Sequence, residues 1–153
     1  MENSTEPPAN TSNSDLSGKV ILVTGGVHRL GAETARTLHA LGANLVLHYR
    51  HSRDRALQLQ NELNTARENS VVLVQADLLD YPKLPAIIKD AAAAWGKLDV
   101  LINNASSFYL TPIGSVDEEQ WDDLIGTNLK APFFLSQAAA PHLQQQHGCI
   151  VNI

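Results

Sequence analysis

Residues 19–31 read KVILVTGGVHRLG, and this stretch decides the fold. KVILVT (19–24) is short, dominated by Val, Ile and Leu, and fits a strand buried on both faces. TGGVHRLG (24–31) is a glycine-containing turn. From Leu30 onward Ala35, Leu38 and Leu41 mark one helical face, and Gly42 follows as a stop. A strand, a glycine turn and a helix in that order bring backbone N–H groups and a helix N-terminus up to a phosphate. Gly25 and Gly31 suit that purpose, yet their spacing is not G-x-G-x-x-G, and a tight ligand-free turn accounts for the pair equally well. Arg29 stands where such a turn often has glycine.

The same switch of period recurs along the chain. ANLVLHY (43–49), SVVLVQ (70–75), LDVLIN (98–103) and GCIVNI (148–153) read as further buried strands. Between them, Ala56, Leu59, Leu63 and Ala66 step by three and four, as do Leu84, Ile87, Ala91 and Trp95 before Gly96. A longer helix is predicted over 117–145. Strict alternation predicts an α/β fold: a Rossmann-like, doubly wound parallel sheet with helices on both faces and right-handed crossovers. Ligands of such sheets bind at the C-terminal ends of the strands.

The 153 residues suffice for one domain with a real core. A net charge of −5 argues against nucleic acid or an anionic membrane surface as partner. No apolar run approaches the roughly 20 residues of a membrane-spanning helix. The single cysteine, Cys149, forms no internal disulfide and fits a cytoplasmic location; it is assigned no role. Residues 1–15 are polar with Pro7 and Pro8 and read as a disordered tail, leaving 16–153 as the domain. No metal site is expected.

The end of the second strand bears on the ligand. A site for NAD usually carries Asp or Glu there, on the ribose 2′-hydroxyl. Here the segment is His48-Tyr49-Arg50-His51-Ser52-Arg53, and no carboxylate occurs before Asp54. Arg50, His51 and Ser52 suit an adenosine 2′-phosphate, because guanidinium and hydroxyl groups donate to phosphate oxygens. A solvated basic loop is the plain alternative.

With NNAS (103–106) and NLKAPFF (128–134) added, residues from about 17 to 153 resemble the short-chain dehydrogenase/reductase family. Within it, Arg29, the HYRHS segment and NNASSFYLTP (103–112) are most similar to the pteridine reductases, in which NADPH reduces pterin or folate rings. The resemblance implies NADPH as cofactor, a small-molecule pterin or folate as substrate, and a homo-oligomer, a tetramer in the complete protein. It places Gly25, His28, Arg29, Leu30 and Gly31 on the pyrophosphate side, and His48, Tyr49, Arg50, His51 and Ser52 toward the 2′-phosphate. The order here is Arg-His-Ser where the family often has His-Arg-Ser. Asp77 and Leu78 would frame the adenine, and Asn104, Ala105 and Ser106 would line the ribose and nicotinamide. Arg29, Ser106 and Phe108 would meet the substrate, Phe108 by stacking on a flat ring. Core packing is the other reading of Phe108.

Asn128 is the one catalytic candidate. In a continuous 117–145 helix Pro132 lacks the N–H that would bond the Asn128 carbonyl, which frees that oxygen and kinks the helix. The family uses an Asn at this place to support a proton path to a catalytic lysine. The family's Tyr and Lys, four residues apart, have no counterpart: Tyr49, Tyr81 and Tyr109 are followed four on by Arg53, Pro85 and Ile113. The expectation is therefore an N-terminal portion of a reductase, ending within the fifth strand of an incomplete sheet and inactive alone. Leu124, Leu129 and Phe133 are then partly exposed. A carbonyl reductase of another substrate class and a non-catalytic nucleotide-binding module are the alternatives.

Overall fold

A computed structural model describes residues 15–153. Of the expected tail, 1–15, only Asp15 lies among them; its carboxylate accepts from the Ser17 amide. Five strands form one sheet: β1 (Val20–Val23), β2 (Asn44–Tyr49), β3 (Val71–Gln75), β4 (Val100–Asn103) and β5 (Cys149–Asn152). Their order is β3-β2-β1-β4-β5 and every pairing is parallel. The order reverses between β1 and β4, which opens a crevice at their C-terminal ends. The five predicted strands are all present, each starting one or two residues late. The expected burial is corrected at the sheet's edges: β5 is exposed along its length and β3 is only partly buried, because an edge strand has a neighbour on one side alone.

Helices α1 (Arg29–Ala40) and α2 (Arg53–Ala66) cover one face, burying Ala35, Ala56, Leu59 and Leu63 against Ile21, Val23, Leu45 and Leu47. Helix α3 (Leu84–Trp95) covers the other face with α5 (Ala131–Gln145), where Leu84, Ile88, Leu135 and Leu143 meet Val20, Leu22 and Leu101. Strand β1 carries apolar side chains in both directions because both of its faces are covered. Gly96 ends α3 at φ 74°, a left-handed conformation that glycine adopts without strain.

The expected single helix over 117–145 is corrected to two. Helix α4 (Glu118–Ile125) starts in a capping box, in which Asp117 accepts from the Gln120 amide at 2.8 Å and Gln120 accepts from the Asp117 amide at 3.2 Å. A five-residue π segment, Gly126–Lys130, then joins α4 to α5. The Ala131 amide donates to the Gly126 carbonyl, five residues back. Pro132 has no N–H with which to restore the four-residue register, so the extra residue is accommodated as a π-bulge. A Cβ on Gly126 would fall 2.5 Å from the Tyr81 hydroxyl and 2.6 Å from the end of Leu79, so both side-chain ends would have to shift to admit one. Leu129 and Phe133 are exposed along this stretch, whereas Leu124 is half-buried.

The lower end of the sheet is held by Asp99, which is 1% exposed. Its carboxylate accepts from the Val20 amide at 2.9 Å and from the ammonium groups of Lys19 at 3.0 Å and Lys97 at 3.1 Å. One side chain thereby fixes β1 beside β4 in register.

Candidate functional site: the crevice at the ends of β1 and β4

The glycine turn leaves β1 at Thr24, a residue missed in the sequence. Its buried hydroxyl donates to the Ile102 carbonyl at 3.3 Å and accepts from the amides of Asn104 and Ala105, both at 3.0 Å. Asn104 returns the connection, its Nδ2 donating to the carbonyls of Thr24 at 2.9 Å and Gly25 at 3.2 Å. Two loops that each carry unsatisfied backbone groups are thus stitched into one floor. The signal in the sequence was only a Thr ahead of the glycines, a residue type that also ends ordinary strands.

His48 supports the turn from below. It is 2% exposed. Its Nδ1 accepts from the Gly25 amide at 3.2 Å, so the ring proton sits on Nε2 and is donated to the Ala76 carbonyl at 3.1 Å. Burial holds its pKa below the usual 6.5, against the opposing pull of the Ala76 carbonyl and the Asp77 charge. Burial, with the Arg67 charge, shifts His39 in the same direction. A histidine kept neutral by folding contributes stability that is complete above 6.5 and lost as pH falls below it. The urea midpoint is therefore expected to drop between about pH 7 and pH 5. A flat midpoint over that interval would show that neither ring is held neutral.

Above this floor, α1 begins without a side-chain cap: His28 makes no capping bond and the first turn holds no acidic residue. The open N–H groups and the positive end of the helix therefore face the crevice. Gly31 lets the helix approach closely, since a Cβ there would clash with the Gly25 carbonyl and lie 2.7 Å from Asn104 Nδ2. Arg29 adopts φ 45°, the left-handed conformation a glycine would favour. Arg29→Gly removes about 1–2 kcal/mol of strain and adds about 0.5–1 kcal/mol of chain entropy cost, so stability is expected to hold or rise slightly. A loss above about 1 kcal/mol in urea melts would mean that the side chain itself supports the fold.

The resulting cleft measures about 450 Å³ and is lined by Gly25, His28, Arg29, Leu30, Gly31, His48, Arg50, Asp77, Leu78, Asn104, Ala105 and Ser106, together with Ser107, Thr127 and Ile153. Twelve residues proposed from the sequence for the cofactor thus converge. Arg50 lies 3.5 Å from the Asp77 carboxylate, and its Nε donates to His51 Nε2 at 2.7 Å. His51 and Ser52 sit beyond the cleft wall, at the strand end and just before α2. Tyr49 is corrected: it points into the core with Ala56 and Leu59 and is 7% exposed, because the strand's alternation turns it away from the crevice.

Phe108 and Asn128 line an adjoining hollow of about 640 Å³, which shares Ala105, Ser106, Ser107 and Ile153 with the cleft. The Asn128 side chain pairs with the main chain of Ser107, accepting from its amide at 3.0 Å and donating to its carbonyl at 2.9 Å. Phe108 is 87% exposed, which removes core packing as its explanation. Among the described residues, no group of three or more His, Cys, Asp or Glu side chains could hold a metal. No helix among them is long and apolar enough to cross a membrane.

A parallel sheet with an uncapped helix N-terminus and a glycine floor at its switch point defines a nucleotide-binding protein of the Rossmann type. Comparison with known proteins extends this: the family model of short chain dehydrogenases matches residues 19–153, and the chain belongs to that oxidoreductase family, whose members bind a nicotinamide cofactor. Pteridine reductase 1 of Leishmania tarentolae is 38% identical over 152 residues, covering 79% of this chain and 53% of the relative. The 3-oxoacyl-(acyl-carrier-protein) reductase FabG of Staphylococcus aureus is 35% identical over 136 residues, covering 88% and 55%. A solved blue fluorescent protein from a metagenomic library, in complex with NADPH, superposes with a TM-score of 0.84 at 33% identity, covering 90% of this chain and 56% of that one. The chain spans about half the length of the curated relatives it matches.

Proposed function

We propose that this chain forms the cofactor-binding part of an NADPH-dependent reductase of pteridines, with dihydropterin or dihydrofolate rings as substrates. The observation that carries the cofactor assignment is the end of β2, where Arg50, His51 and Ser52 stand and no carboxylate is present for a ribose 2′-hydroxyl. The cleft fits the group: open N–H groups at the start of α1 would meet the pyrophosphate, Gly31 lets that helix close on the glycine turn, and Arg50 would exchange Asp77 for a 2′-phosphate. When bound, NADPH supplies a hydride.

The chain's own residues then bind and orient. Asn104 lines the cleft, and Ala105 and Ser106 border the path from cleft to hollow. The exposed ring of Phe108 in the hollow offers a face for a planar substrate, and Arg29 sets a cation in the adjoining cleft. Asn128, its side chain paired with the Ser107 main chain at the edge of the hollow, is the residue proposed to support a proton path. The complete protein is proposed to act as a tetramer.

A second reading, reduction of another carbonyl substrate, draws on the FabG relative, which matches a larger share of this chain. Turnover of dihydrobiopterin, dihydrofolate, simple ketones and a 3-oxoacyl thioester by the complete protein decides between them. The pteridine reading expects the first two to be faster, and faster reduction of a ketone or thioester overturns it.

A further inference from the structure

We propose that Arg55, on the first turn of α2, is a cofactor-specificity residue that positions His28 and adds its charge where an adenosine 2′-phosphate is received. The proposal deepens the NADPH reading and rests on it. Arg55 Nη1 lies 2.7 Å from His28 Nδ1 and 3.1 Å from Nε2, bridging α2 to the lip of the glycine turn. His28 and Arg29 form the wall between the cofactor cleft and a side hollow of about 470 Å³ that Arg55 lines.

The electrostatics point to an absent anion. Nearby Arg36 is neutralised, its guanidinium held by Glu62 at 2.7 and 2.9 Å and by Glu33 at 2.7 Å. Among the described residues no carboxylate lies within salt-bridge distance of Arg55 or Arg29, although the two flank one imidazole. Unpaired like charges gathered at one lip are unfavourable until an anion joins them. One Arg55 nitrogen faces both ring nitrogens of His28, so the contact fixes the place of the imidazole at the lip without assigning its tautomer. A phosphomonoester dianion matches the guanidinium groups of Arg29 and Arg50 in the cleft, with that of Arg55 behind the His28 wall. Arg55 was not singled out in the sequence, because its place beside His28 depends on the packing of α2 against α1.

The test measures NADPH and NADH affinities of the chain as wild type, Arg55→Gln and Arg55→Lys, with thermal melts alongside. The expected result is a loss of about tenfold in NADPH affinity for Arg55→Gln, an NADH affinity within about twofold of wild type, partial recovery with Lys, and unchanged melts. Equal losses for both nucleotides, or no loss for NADPH, overturn the role of Arg55 while the cofactor reading stands. Wild-type preference for NADH, or binding of neither nucleotide, overturns the cofactor reading and this inference with it.

Discussion

Gly31→Ala is expected to collapse the turn, costing about 3 kcal/mol or more and abolishing nucleotide binding. Helix propensity alone predicts the opposite sign, because Ala gains about 1 kcal/mol over Gly inside a helix. Space decides the outcome. The added Cβ would overlap the Gly25 carbonyl and approach Gly26 Cα at 3.0 Å, and these are backbone atoms that no rotamer change can withdraw. Moving them breaks the bonds from Asn104 Nδ2 to the Thr24 and Gly25 carbonyls, and with them the floor of the cleft. Urea melts and an NADPH titration check this. Gly96→Ala serves as the control, since its Cβ meets nothing within 4 Å and only the left-handed φ of 74° is strained. Equal midpoints for wild type and Gly31→Ala would refute the close approach.

Asp99→Asn is the second large effect, expected to cost about 3 kcal/mol, the lower end of the range for breaking a buried ion pair. The lower end applies because Lys19 and Lys97 both reach solvent and can turn away once the charge is gone. Burial by itself would raise the Asp99 pKa, but the Val20 amide and the two ammonium groups outweigh it and hold the carboxyl below its ordinary 3.8. A lowered acid contributes stability that is complete above that value and lost as pH falls below it. The difference between wild type and Asp99→Asn should therefore shrink in acid. A difference that stays constant from neutral pH down to about pH 3 would mean that the carboxylate charge is not what holds β1 beside β4.

The fold was legible because apolar periodicity reports burial, and KVILVT or ANLVLHY can be buried on both faces only in a covered parallel sheet. The turn was legible in part. Gly25 and Gly31 are visible as letters, but the clash that makes Gly31 necessary involves Asn104, distant in sequence. The π segment was hidden because a proline signals a lost bond and not the register that replaces it. Tyr49 was misplaced because all of His48–Ser52 was read as one patch, whereas successive strand residues face opposite sides. Thr24, Asp99 and Arg55 carry little signal alone; each acts through partners that the sheet or helix packing supplies.

We propose that the crevice at the ends of β1 and β4 receives a nucleotide bearing a 2′-phosphate. Calorimetric titration of NADPH and NADH into the same preparation tests it most directly. NADPH is expected to bind tighter by about tenfold or more, through charge-assisted bonds that NADH cannot make. NADH binding as tightly as NADPH, or more tightly, would contradict it.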